Sequence, residues 1–147
     1  VPEARRFDGY QLKLLEDIRK KYNVDKLVAL DEQGYYFKGR NNKTNLWGMY
    51  MGEGVVSYSI PAKYDDIILD KNTGICEVWK NGKVGYYNEN RKVVFEPTFE
   101  DFEIIHLDYI YGCALKSNGK WELYDIFEPK KLTHVDAKAL EFSGPTH

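Results

Sequence analysis

At 147 residues, with 30% charged and 43% hydrophobic side chains, the chain has the composition of one globular domain large enough to bury a core. A net charge of −2 argues against bulk attraction to nucleic acid or to anionic membrane, and no apolar run approaches the roughly 18–20 residues of a membrane span. Two cysteines are too few for a disulfide scaffold and match no metal spacing.

The chain opens at Val1-Pro2 rather than at methionine, which leaves processing open, and with it the choice between an envelope, secreted or cytoplasmic location. Phe7-Asp8-Gly9-Tyr10-Gln11-Leu12 reads as a helix start. Asp8 serves as the cap, Gln11 completes a capping box, and Phe7 with Leu12 forms a hydrophobic staple. Leu12, Leu15, Ile18 and Tyr22 follow at helical spacing, and Glu16–Lys20 and Asp17–Lys21 are favourable i,i+4 pairs. Arg19, Lys20 and Lys21 suit the negative end of the helix dipole, and Asn23 is the stop. A helix over 9–22 is expected, packed on an end or face of a β part. Leu27-Val28-Ala29-Leu30 then reads as a strand, Asp31-Glu32-Gln33-Gly34 as a turn, and Tyr35-Tyr36-Phe37 as a second strand.

From there a repeat governs the chain. Trp79-Lys80-Asn81-Gly82-Lys83-Val84-Gly85-Tyr86-Tyr87 returns as Lys116 to Tyr124 and, in worn form, occurs upstream as Asn42 to Tyr50, so that Tyr50, Tyr87 and Tyr124 recur at 37-residue intervals. Asn-Gly between alternating apolar runs is a hairpin signal, because both central residues of a type I′ turn need φ > 0. Two-residue turns are expected at Asn81-Gly82 and Asn118-Gly119, with a less regular loop at Thr44-Asn45. The middle repeat reads as a strand over 75–80, a return over 83–88, and a third strand from Arg91 that ends at Pro97. Phe99-Glu100-Asp101-Phe102 closes the unit, and its counterpart is Tyr64-Asp65-Asp66-Ile67. Those two corners lie 35 residues apart, so the first repeat holds a two-residue insertion, assigned to the Gly52-Glu53-Gly54 turn.

With Asn81-Gly82 as the loop, Trp79, Val84 and Tyr86 share one face, and Cys76, Val78, Gly85 and Tyr87 share the other. Both are apolar, so both are expected to be covered. A small residue is expected opposite a tyrosine in each repeat: Gly39 with Tyr50, Cys76 with Tyr87, Cys113 with Tyr124. The third repeat decays after Tyr124, where Phe127-Glu128-Pro129 is followed by Lys130-Lys131, as in a degenerate cap.

These features resemble the WG-repeat family of bacterial β-repeat proteins over about residues 36–128. Trp47-Gly48 is the literal Trp-Gly pair. Val84-Gly85 keeps the glycine and Trp121-Glu122 the tryptophan. Ile60-Pro61 with Tyr64-Asp65-Asp66-Ile67 matches the closing corner of that pattern, and Pro97 with Phe99-Glu100-Asp101-Phe102 follows it. The resemblance implies a structural or protein-interaction module rather than an enzyme.

Catalytic chemistry has little to stand on. His106, His134 and His147 are scattered, and no nucleophile elbow, phosphate loop, dinucleotide fingerprint or zinc-protease motif occurs. Asp70-Lys71-Asn72-Thr73-Gly74 lacks the spacing of a calcium loop and reads as a turn. Asn42-Lys43-Thr44 fits a glycosylation sequon within a polar turn. Cys76 and Cys113 read as small core residues.

The fold class expected is mainly β: antiparallel three-stranded meander units of about 37 residues, as an open stack or closing toward a barrel, with one N-terminal helix. One domain spans 1–147, with a frayed tail at 143–147. The function expected is non-enzymatic protein interaction. Carbohydrate or cell-wall binding through exposed aromatics, or inhibition of a toxin as an immunity-type protein, are the alternatives. No catalytic, cofactor-binding or metal residue is assigned and no cofactor is expected. The partner is expected to be another protein, not nucleic acid, without membrane insertion; the oligomeric state is open. The candidate partner-binding residues are Asp65, Asp66, Glu100 and Asp101, read as an acidic stripe at equivalent corners, together with Trp79.

Overall fold

The computed structural model describes residues 9–88, 90–107 and 110–125. One helix precedes eleven strands, which form three open antiparallel sheets of three or four strands and no closed barrel among the described residues. The chain divides between Thr73 and Gly74 into two compact units.

In the first unit, helix α1 (Gly9–Lys21) lays Leu14 and Ile18, both fully buried, against Phe37 and Tyr50 of the sheet. The buried stripe runs Gln11, Leu14, Ile18, with Leu15 and Tyr22 half-buried beside it. This corrects the expected stripe at one position: Leu12 is 41% exposed, and Gln11 occupies the buried place one turn ahead of Leu14. Asp8 and Phe7, assigned to the cap and staple, lie outside the described residues. The Asp17–Lys21 pair forms at 3.2 Å, and Asp17 also accepts a hydrogen bond from the Val56 N–H at 2.9 Å. That second bond fastens a distant loop to the helix.

The sheet under the helix runs β1 (Val24–Ala29), β2 (Tyr36–Asn41), β3 (Trp47–Met51), β4 (Tyr58–Tyr64) in spatial order, and β5 (Asp66–Leu69) follows in the chain. The β1–β2 turn is held by Asp31, which accepts from the Tyr35 and Tyr36 N–H groups at 3.1 and 3.0 Å. Between β2 and β3 the loop is irregular, as expected. The Asn41 side chain accepts from the Lys43 and Thr44 N–H groups, and Asn45 takes φ 63°.

Because that loop is longer than two residues, the register shifts against the other repeats. Phe37, not Gly39, stands opposite Tyr50, and Gly39 faces Gly48. The expected Gly39–Tyr50 pair is therefore wrong as a ladder pair. The Tyr50 ring still leans over Gly39, where an added β-carbon would meet Tyr50 Cε2 at 3.1 Å.

The second unit holds β6 (Cys76–Lys80), β7 (Lys83–Tyr87), β8 (Val93–Phe99), β9 (Asp101–Leu107), β10 (Ile110–Ser117) and β11 (Lys120–Asp125). Both predicted Asn-Gly turns form. Asn81 and Asn118 each have φ 52°, and Gly82 and Gly119 each have φ 77°, the left-handed pair that a type I′ turn requires. The expected cross-strand partners follow, Cys76 with Tyr87 and Cys113 with Tyr124. Both faces of the β6–β7 hairpin are covered: Val84 and Tyr86 on one side and Cys76, Val78 and Tyr87 on the other are buried.

Pro97 does not end its strand, contrary to expectation; β8 continues to Phe99. The ladder explains how. Val84 pairs with Phe99 and Tyr86 with Phe95, so Glu96, Pro97 and Thr98 stand opposite Gly85 alone. In this bulge proline needs no ladder N–H. The first unit repeats the device: Trp47 pairs with Tyr64 and Met49 with Ile60, leaving Pro61, Ala62 and Lys63 opposite Gly48. The glycine is required in both places because the bulged strand presses on it. A β-carbon at Gly48 would lie 2.6 Å from the Ile60 carbonyl oxygen, and one at Gly85 would overlap those of Phe95 and Glu96.

The acidic corners are single-residue kinks between strands. Asp65 separates β4 from β5, and Glu100 separates β8 from β9. In the second unit the kink moves the chain from its place beside β7 to a new place beside β10, at the edge of the β11–β10–β9 sheet. The core there is aromatic. Tyr86, fully buried, packs on Phe102 and Phe95, and Phe95 meets Phe99 and Tyr124 edge-on, around Ile75, Val84, Cys113 and Leu115.

Candidate functional site

The predicted site residues are held by their own corners. Asp66 and Asp101 are equivalent first residues of a strand, and each accepts a hydrogen bond at 2.8 Å from the next backbone N–H, that of Ile67 or of Phe102. Asp66 also pairs with Lys38 at 2.7 Å, where the ammonium lies 4.9 Å from the centre of the Trp47 ring. Glu100 accepts from the Gly119 N–H at 2.9 Å and so ties the β10–β11 turn back to the kink. Asp65 is exposed. Asp65 and Asp66 belong to the first unit, Glu100 and Asp101 to the second.

Trp79 is half-buried on the second unit's core, and its indole N–H donates to Glu77. Trp47 and Trp121 each lie under a lysine, Lys38 and Lys116. The three tryptophans therefore take part in local packing and pairing.

Both cysteines are buried and form no disulfide. Burial pushes the Cys76 thiol up to about 11 and the Cys113 thiol up to about 12. Cys113 donates from its thiol to the Tyr86 hydroxyl at 3.5 Å, and Tyr86 donates to the Asp125 carbonyl at 3.4 Å. This buried chain satisfies its own polar atoms, and burial also raises the Tyr86 phenol. A thiol held protonated is a packing group, not a nucleophile. Asp70 accepts from the Thr73 N–H and hydroxyl at 3.1 and 2.5 Å, which makes the 70–74 stretch a self-closed turn. Among the described residues no group of three or more His, Cys, Asp or Glu side chains is placed to hold a metal, and no helix is long and apolar enough to cross a membrane. His106 lies in β9 with Tyr111 as its ladder partner, while His134 and His147 lie outside the described residues.

One concave feature has no counterpart in the sequence reading. At the end of the first sheet, Tyr35, Tyr36, Met51, Gly52, Glu53, Val55 and Ser57 line a groove of about 490 Å³. Tyr36, Met51 and Tyr58 are successive cross-strand partners on β2, β3 and β4, so they form a row across one face of the sheet. Exposure is high around this row for apolar side chains: Tyr58 is 54% and Val55 57% exposed. Tyr10 of α1, 64% exposed, stands next to Gly54 of the loop between β3 and β4.

The loop is built to stay put. Gly52 donates from its N–H to the Tyr35 carbonyl, Ser57 to the Met51 carbonyl, and Val56 to Asp17. Gly52 has φ 158°, and a β-carbon there would overlap the Val55 carbonyl oxygen. The one available signal was the two-residue insertion assigned to Gly52-Glu53-Gly54, followed by two valines in an irregular segment. Of these two valines, Val56 packs on the helix core and Val55 is left exposed.

Comparison with protein-family models, with curated proteins and with solved structures found no match to this chain.

Proposed function

We propose that this chain is a non-enzymatic protein-interaction module of the WG-repeat kind, and that the groove of the first unit is its docking surface. The observation that carries this reading is Val55, more than half exposed in the lining of a groove with Tyr35, Tyr36 and Met51, together with Tyr58, also more than half exposed in the cross-strand row of Tyr36 and Met51. Contiguous exposed apolar surface is disfavoured in a protein that meets only water, and tyrosine and methionine are enriched where proteins meet. Glu53 and Ser57 give the groove a polar rim. The WG-repeat reading is supported by the repeated bulge, in which Gly48 and Gly85 each lie under a proline-bearing strand ahead of an acidic kink.

Tyr35 and Tyr36 in the lining, with Tyr58 in the row beside them, also support a second reading, a sugar stacked on aromatic rings. One experiment separates the two. The full chain and its V55S/Y58S variant are used as affinity baits and, in parallel, on a glycan array. The protein-docking reading expects a protein retained by the parent, lost by the variant at unchanged melting temperature, and no glycan signal. Glycan binding that the variant loses replaces it with the sugar reading. Equal retention by both baits overturns the groove as the docking surface.

A further inference from the structure

Among the described residues the four-stranded sheet of the first unit ends on one side at β4 and on the other at β1. An edge strand presents a row of backbone donors and acceptors, and proteins commonly block it with bulges, charges or proline. β4 carries such protection, with Pro61 inside it and the bulge opposite Gly48. β1 is protected over its first half only. Asp25 is the extra residue of a bulge between Val24 and Lys26, and its carboxylate is held by Arg40 at 3.0 and 3.2 Å. Lys26 beside it is exposed.

From Leu27 to Ala29 the strand is regular and uncharged, and Leu30 follows it. The direction of its backbone groups follows from one bond. The Leu30 N–H donates to the Tyr36 carbonyl, so Leu30, Val28 and Lys26 point their N–H and C=O groups toward β2. By alternation, those of Leu27 and Ala29 point to the open side. A trough of about 450 Å³ is lined by Leu27 to Glu32 and by Lys71, with no residue of β2 in its lining. Asp31, on its wall, is already occupied by the Tyr35 and Tyr36 N–H groups, whereas Lys71 is an exposed ammonium.

We propose that the Leu27–Ala29 half of β1 is a peptide-binding edge, which takes an extended segment of a partner protein as a fifth strand. The backbone of that segment pairs with Leu27 and Ala29, alternate apolar side chains settle into the trough, and a carboxylate meets Lys71. This site is separate from the tyrosine groove and does not depend on it. Main-chain pairing supplies the affinity, and the apolar alternation with one acid supplies the selectivity.

The test uses the full chain against a displayed library of random decapeptides, in parallel with A29P and K71E. Proline at position 29 removes only the outward N–H, the one position type where an edge strand tolerates it. A circular dichroism melt of each variant fixes that it is folded. The expected result is enrichment of peptides with alternating apolar residues and an Asp or Glu. Their affinity should fall at least tenfold on A29P and several-fold on K71E, and they should slow amide exchange at Leu27 and Ala29. If A29P proves unfolded, an enriched peptide N-methylated on the residue facing Leu27 takes its place and must lose binding. V55S/Y58S must bind as the parent does. Absence of enrichment, peptides that bind A29P as tightly as the parent, or self-association of the parent through this edge in place of peptide binding overturns the proposal.

Discussion

Gly85 lies directly beneath the carbonyl of Phe95, so close that a β-carbon on the glycine would overlap the oxygen. The contact is backbone on backbone, and no side chain can turn aside to relieve it. G85A is expected to destabilise the protein by about 3 kcal/mol, the upper part of the range for overpacking, and G48A by about 1–2 kcal/mol, since its nearest approach is 2.6 Å. Urea unfolding followed by tryptophan fluorescence checks the order. G82A meets open space but keeps φ 77°, and is expected to cost about 1 kcal/mol from backbone strain alone.

The acidic corners predict a difference between two substitutions of one residue. D66N keeps an acceptor for the Ile67 N–H and loses only a half-exposed ion pair with Lys38, so its cost is expected to stay below about 1 kcal/mol. D66A also leaves that N–H without its acceptor and is expected to cost about 1 kcal/mol more. D101N and D101A should repeat the pattern at Phe102. Equal effects of Asn and Ala would show that the hydrogen bond to the strand start contributes nothing.

The buried thiols and Tyr50 set the alkaline limit. Their folded values are raised, from 9.0 to about 11 for Cys76, from 9.0 to about 12 for Cys113 and from 10.0 to about 12 for Tyr50, with burial the main cause in each. A raised value means the folded state holds its proton longer than the unfolded chain does. Stability from these groups is whole below pH 9 and is lost as pH rises from 9 toward 12. Urea midpoints measured from pH 7 to 10.5 are expected to be flat and then fall. C113A should make the fall shallower, with its start still set by Cys76, while lowering stability at neutral pH, because it leaves a small cavity beside Tyr86. A midpoint that holds steady to pH 10.5 would contradict the assignment.

The turns and the middle repeat were legible because short-range chemistry decides them: Asn-Gly can satisfy two left-handed residues, and the alternation on either side then fixes Cys76 against Tyr87 and Cys113 against Tyr124. The first repeat misled for the same reason. Its loop after Asn41 has no Asn-Gly, so the register of Gly39 hung on the 37-residue interval, and the longer loop placed Phe37 opposite Tyr50. In the sequence Pro97 marks a strand end, as a proline usually does, yet the bulge over Gly85 removes the need for its N–H. The helix stripe was off by one position because Gln11, a polar residue, takes a buried place that hydrophobic periodicity assigns to a neighbour. The groove was hidden for a different reason. Tyr36, Met51 and Tyr58 are far apart in sequence and meet only through cross-strand pairing.

The proposed docking of a protein at that groove is tested most directly by amide exchange on the complex. With the partner retained by the affinity bait bound to the full chain, the account predicts slowed exchange in residues 51–58 and at Tyr35 and Tyr36. Exchange at the Asn81-Gly82 turn should be unchanged. Protection confined to other segments, with 51–58 exchanging as in the unbound chain, would contradict it.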